Sequence, residues 1–281
     1  MKKVMITMSV CLLMFSAQVN ANSNWLTSYD DALKISKALN KPILIDFWAD
    51  WCAPCKKMDF DVWSKEEVKE LMNNFVSVKI DIDSNKSLAM KYGVRGIPNV
   101  LILDSYGNEL HSSVGYKDKK QVSKLLNSFT VNLTGVNRAM DILNKDDNNT
   151  FSNLRVALKF QNASMNLGKD GQRAFLNRSE FYLKTALKYS DKDNKVLEEK
   201  IGLLRLLNKA YGKRYKKVLK SLDKEYKTID ESNKSLYYFT KLYCYNYLEL
   251  SNETNEFYSK LKSEKNNVNY LTIANKILEK S

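Results

Sequence analysis

Two cysteines separated by two residues, Cys52 and Cys55, stand in the stretch DFWADWCAPCKKM. Such a pair can be half a zinc site, a redox couple or two buried thiols. Structural zinc takes four Cys or His ligands, but the one histidine of the chain is His111, and no carboxylates near the pair are spaced to complete a site. Disulfide exchange needs no more than the pair itself. PILIDFW reads as a buried strand opened by Pro42, and a helical pattern follows the cysteines. Cys52 therefore falls where a strand hands over to a helix, facing free backbone N–H groups and the positive end of the helix dipole, which favour thiolate over thiol. That makes Cys52 the expected nucleophile. Cys55, one helical turn on, lies on the same face and can resolve a mixed disulfide on Cys52. Pro54 suits the first turn, where its missing N–H costs little. One attacking and one resolving thiol complete a two-electron cycle with no cofactor.

The elements that must position this pair lie in the first half of the chain. SYDDALKISKALN has Ser28 as a candidate cap, with Ala32, Ile35 and Leu39 at helical spacing. A helical stretch is expected from the cysteines to about Asn73. FVSVKIDI then reads as a strand, SNKSLAMKY as a helix, NVLILD as a strand, SYGN as a turn into the strand ELHSSVG, and DKKQVSKLLNSF as a closing helix. That order describes an α/β sheet with helices on both faces.

ILIDFWADWCAPCKKM taken with VKIDIDSNKSLAMKYGVRGIPNVLIL resembles thioredoxin over residues 22–130. The resemblance joins separated motifs in order: the W-C-x-P-C-K core, an acid six residues before the first cysteine, and GVRGIP ahead of a strand. It implies a thioredoxin fold and a thiol–disulfide oxidoreductase acting on protein disulfides. It implies that Pro98 is cis beside the disulfide and that Ile97 meets the substrate backbone, with Trp51 and Pro54 on the same substrate-facing surface. Asp46 would be a buried carboxylate behind Cys55, taking its proton during resolution, with Lys79 as its partner. A charge in that apolar strand is costly unless neutralised or paired, and burial should raise its pKa towards the working pH. Trp51 is expected to shield the disulfide and Trp48 to belong to the core.

Two departures bear on direction. The dipeptide between the cysteines is Ala-Pro where thioredoxin commonly has Gly-Pro. The histidine that strong periplasmic oxidants carry there is absent. That absence, with Ile97 before the cis-proline as thioredoxin has it, points to a reducing or moderate potential and so to a reductase, with an oxidase or isomerase as the rival activity. A protein-binding helical module on a thioredoxin scaffold is the rival from another class.

The first 21 residues read as an address. Lys2 and Lys3 precede an apolar run from Val4 to Phe15, and the segment closes on small Ala21. The run is short for a bilayer of about 30 Å, so a cleavable signal over 1–21 is expected, taking Cys11 with it, and a periplasmic or secreted protein. A reductase there implies a membrane-embedded thiol electron donor.

Composition shifts near residue 130. Residues 22–130 hold 15 bases against 14 acids, whereas residues 131–281 hold 28 against 18. All four Trp precede residue 64, 12 of 16 Tyr follow residue 131, and no proline follows Pro98. A second, all-α domain over 131–281 is expected. Leu236, Phe239, Tyr243, Tyr247 and Leu250 lie on one helical face, and Leu204, Leu207, Tyr211, Tyr215 and Val218 repeat the spacing, with Gly212 breaking that stretch in two. The texture resembles degenerate tetratricopeptide hairpins, which present a binding surface to a protein partner, although a non-repeating bundle is the preferred reading. The net charge of +13 is scattered among acids with no nucleic-acid motif, so nucleic acid is not an expected partner. Cys244 is expected as a buried thiol, and His111 as a surface residue on a strand.

Overall fold

The computed structural model describes residues 25–279. The expected signal over residues 1–21 lies outside them. Helix α1 (Tyr29–Leu39) starts at Ser28, whose Oγ accepts from the Asp31 N–H. Its buried face runs through Ala32 and Ser36, and Ile35 and Leu39 stay largely exposed, so burial follows a neighbouring stripe to the one expected. Ser36 is held inward because its Oγ donates to the Lys41 carbonyl at 2.5 Å and meets Ser105 Oγ at 2.8 Å.

Strands β1 (Ile43–Trp48), β2 (Val76–Asp81), β3 (Asn99–Leu103) and β4 (Glu109–Val114) form one sheet in the order β2-β1-β3-β4. β1 runs parallel to β2 and antiparallel to β3, and β4 is antiparallel to β3. Alternation splits the sheet into two faces. Ile43, Ile45 and Phe47 pack with Val78, Ile80 and Leu101 on the face covered by α1 and α4 (Lys86–Lys91). Leu44, Val100 and Ile102 face the other way, against α2 (Ala53–Met58), α3 (Glu66–Met72) and α5 (Lys119–Phe129).

The continuous helix expected from the cysteines to Asn73 is interrupted. After α2 the chain takes a π turn over Asp59–Trp63, then breaks at Lys65, which is extended, before α3 begins. Ser64 N–H reaches back five residues to the Asp59 carbonyl, and Ser64 Oγ donates to the Phe60 carbonyl. The extra residue in this turn is what a π-bulge inserts, and such bulges recur at functional sites.

From α6 (Thr134–Leu143) onward every regular element is helical: α7 (Thr150–Ser164), α8 (Lys169–Lys188), α9 (Lys195–Tyr211), α10 (Tyr215–Glu225), α11 (Lys234–Tyr247), α12 (Ser251–Ser263) and α13 (Val268–Leu278), with one 3₁₀ turn before α11. The Asn/Asp/Gly clusters fall between helices as expected. α9 stops at Gly212, but the left-handed residue is Lys213 at φ 64°. The apolar face expected to reach Leu250 ends sooner: Glu249 turns left-handed at φ 60° and Leu250 is 40% exposed beyond α11. Cys244 is fully buried and its thiol is pushed up to about 12 by burial, matching its expected role.

The two compositional halves are packed together. One apolar cluster runs from Leu44 through Phe129 and Phe160 to Ile277. Polar contacts reinforce it: Asn137 Nδ2 donates to Asn40 Oδ1 at 3.0 Å and to Ser105 Oγ at 3.2 Å, and Leu133 N–H donates to the Asn40 carbonyl. His111 is drawn into this interface instead of the surface. It lies half-buried with its ring 5.7 Å from that of Phe129, and burial lowers its pKa. Gly171 of α8 marks the closest approach, since a Cβ there would stand 1.9 Å from the Ser128 carbonyl oxygen of α5. Gly171→Ala must push α8 off α5, and thermal unfolding should show a loss of roughly 1–3 kcal/mol.

Candidate active site

Cys52 and Cys55 are joined in a disulfide. Cys52 is the N-cap of α2, and its Sγ accepts the Cys55 backbone N–H at 3.2 Å. The expected handover from strand to helix is therefore real, and the polar backbone contact falls on the expected nucleophile. Exposure does not separate the two, at 3% and 2%. Position does, because Cys52 precedes the helix while Cys55 sits within it on the buried side. Pro54 is exposed in the first turn of α2.

The Ile97–Pro98 peptide is cis, as the resemblance implied. Pro98 is buried, and its carbonyl accepts from the Gly115 N–H at 2.7 Å. Ile97 packs against the two cysteines together with Trp48 and Ile82. Trp48, expected as core, is thus half-buried against the disulfide. Trp51, expected as its shield, is 67% exposed and donates its Nε1–H to Asp83 at 2.8 Å. That bond ties the residue before Cys52 to the loop after β2.

Asp46 is buried on β1, in register with Lys79 on β2. It alternates onto the Leu44 face, which α2 and the π turn cover with buried Cys55, Met58, Val62 and Trp63. Lys79 Nζ lies 3.6 Å from Asp46 Oδ2 and is bonded more tightly to Asp59 of the π turn. Desolvation pushes the Asp46 pKa up to about 7; Lys79 opposes the rise and the Asp59 carboxylate adds to it. The Trp63 indole favours the ionised form, yet Asp46 Oδ1 and Trp63 Nε1 both lack a hydrogen bond of normal geometry. An open cleft of about 860 Å³ lined by Trp25, Trp48, Asp59, Trp63 and Lys79 gives this side of the pair access to solvent.

Of the residues expected from the sequence, Cys52, Cys55, Ile97 and Trp48 are brought into one cluster, and Asp46 and Lys79 are paired. Asp59, Asp83 and Ile82 were missed. Asp59 had a readable signal, an acid one helical turn beyond Cys55, whereas Asp83 and Ile82 enter through a loop whose path no local pattern encodes. Asp59→Asn removes the like charge and frees Lys79 for Asp46. The Asp46 pKa should fall by about one unit, read as an acid shift in the midpoint of the pH–activity curve.

A disulfide-linked cysteine pair at a helix start, a cis-proline and a buried acid on this sheet define a thiol–disulfide oxidoreductase of thioredoxin fold. The Thioredoxin family model matches residues 24–128. Thioredoxin of Bacillus subtilis (strain 168) is 41% identical over 85 residues, which are 30% of this chain and 79% of that one. The thiol:disulfide interchange protein DsbD of Yersinia pestis (strain Pestoides F) is 31% identical over 93 residues, 31% of this chain and 16% of that one. Among solved structures, a mutant thioredoxin from Halobacterium salinarum NRC-1 aligns at 30% identity over 38% of this chain and 88% of that one, with a TM-score of 0.32. The chain belongs to the thioredoxin family.

Proposed function

We propose that the protein is exported and reduces protein disulfides. In the dithiol form the Cys52 thiolate attacks a substrate disulfide, forms a mixed disulfide and releases one substrate thiolate. Asp46 takes the proton of Cys55, whose thiolate attacks Cys52 Sγ and expels the second substrate thiolate. The enzyme is left with the Cys52–Cys55 disulfide, and two electrons have passed to the substrate. A thiol donor must then restore the dithiol, and a membrane-embedded one fits a protein outside the cytoplasm. The apolar run behind Lys2 and Lys3 supports export.

The observation that carries the direction is the dipeptide between the cysteines. Strong oxidants are those whose reduced form is stabilised, chiefly as thiolate. Here Ala53 and Pro54 stand between the cysteines and no histidine does. Without that imidazole to hold the thiolate, the reduced form is less favoured than in a strong oxidant and the dithiol is a good donor. The relative described as a thiol:disulfide interchange protein is consistent with exchange between proteins. Equilibration in dithiothreitol redox buffers should give a potential near roughly −270 mV. A value near about −120 mV would make the protein an oxidant and reverse this reading.

A further inference from the structure

Helices α8, α9, α10 and α11 enclose a second cleft of about 780 Å³, which shares no lining residue with the cleft beside Asp46. Its floor is aromatic. Tyr215 and Tyr247 stack at 5.5 Å with 13° between their planes, and Tyr243 lies 4.6 Å from Tyr247 and 4.8 Å from Tyr211. Its rim is basic, carrying Lys169, Arg173, Lys209, Lys213 and Arg214. Arg173 reaches Asp170 at 3.3 Å. Among the described residues the other four pair with no carboxylate, in a chain where many lysines do. The acid in the lining, Glu180, is already held by Arg205 at 2.7 Å. The rim is thus left with uncompensated positive charge beside a preformed aromatic surface.

The backbone adds to this. Lys213 adopts the left-handed region at φ 64°, while Gly212, which would adopt it freely, does not. The turn projects two consecutive bases, Lys213 and Arg214, at the mouth of the cleft.

We propose that this cleft binds a short acidic segment of a partner protein. An aromatic or aliphatic side chain of the segment would rest on the tyrosines, and its carboxylates would meet the rim. Gln172 and Asn177 in the lining offer amide donors and acceptors to an extended backbone. The volume lies within the range of sites for ligands of short-peptide size. Nucleic acid fits less well, because Tyr215 and Tyr247 already use a ring face on each other and the bases surround one enclosed floor instead of tracking a strand. The proposal is independent of the direction of electron flow.

Fluorescence anisotropy on the whole protein tests it, with the labelled hexapeptide Glu-Glu-Phe-Glu-Glu-Leu and the same peptide with Lys in place of every Glu. The acidic peptide should bind and weaken with rising salt, and the basic one should not bind. K213E/R214E should weaken binding at least tenfold with unchanged thermal unfolding, and Tyr247→Ser at least about fivefold while still unfolding in one cooperative transition. K262E/K265E makes the same change in net charge on exposed residues outside this cleft and should bind as the parent does. Equal binding of both peptides, or an equal loss in the control variant, would overturn the proposal. So would a single-stranded oligonucleotide or an anionic phosphatidylglycerol vesicle binding through Lys213 and Arg214 while the acidic peptide does not.

Discussion

Cys55→Ser should turn the protein into a trap that accumulates covalent adducts with its substrates. The N–H that contacts Cys52 Sγ at 3.2 Å in the disulfide is a backbone group of residue 55, so the substitution leaves that donor in place for the attacking sulfur. Attack proceeds and the second step cannot, because serine does not displace a sulfur under these conditions. Among the described residues no other thiol rescues it: Cys244 is fully buried in α11 and its pKa is pushed up to about 12. Cys52→Ser, by contrast, should lower insulin-disulfide reduction on the order of a thousandfold or more and form no adduct. Non-reducing gels after mixing with a disulfide-bonded client separate the two variants. Full turnover by Cys55→Ser would sink the assignment of attacker and resolver, and with it the exchange cycle.

The features legible in the sequence were those with a local cause. The succession of strands and helices along the chain, the Ser28 cap and the breaks at the Asn/Asp/Gly clusters each follow from a few neighbouring residues. Cys52 at a helix start is of the same kind. The cis bond at Pro98 and the pairing of Asp46 with Lys79 came from family resemblance, since neither residue type states its partner. What stayed hidden depends on geometry between distant segments. The π turn matters through the contact that it gives Asp59 with Lys79, 20 residues away on β2. Trp51 finds its partner in Asp83, 32 residues away. The composition shift near residue 130 marked where helices take over, but it carried no hint that Gly171 would seat α8 against the Ser128 carbonyl or that His111 would be drawn beneath that contact.

Asp46→Asn should make the protein more stable and slower at once. Its carboxyl titrates at about 7 in the fold against 3.8 as a free side chain, with desolvation as the main cause. Below about pH 4 the group is neutral in both folded and unfolded chains and costs nothing. Between about pH 4 and 7 the unfolded chain ionises while the folded one stays protonated, so stability falls as pH rises. Above about 7 both are ionised and the loss is constant. Three units at about 1.4 kcal/mol each set an upper bound of about 4 kcal/mol, and losing the Lys79 contact offsets part of the gain. Urea titrations should therefore show Asp46→Asn more stable by about 2–4 kcal/mol at pH 8 and unchanged near pH 4. The same substitution removes the base that accepts the Cys55 proton, so resolution of the mixed disulfide should slow about 10²-fold, and the step in rate near pH 7 should vanish. Unchanged stability at pH 8 would mean that Asp46 is not held desolvated. A surviving pH step would mean that another group carries the proton.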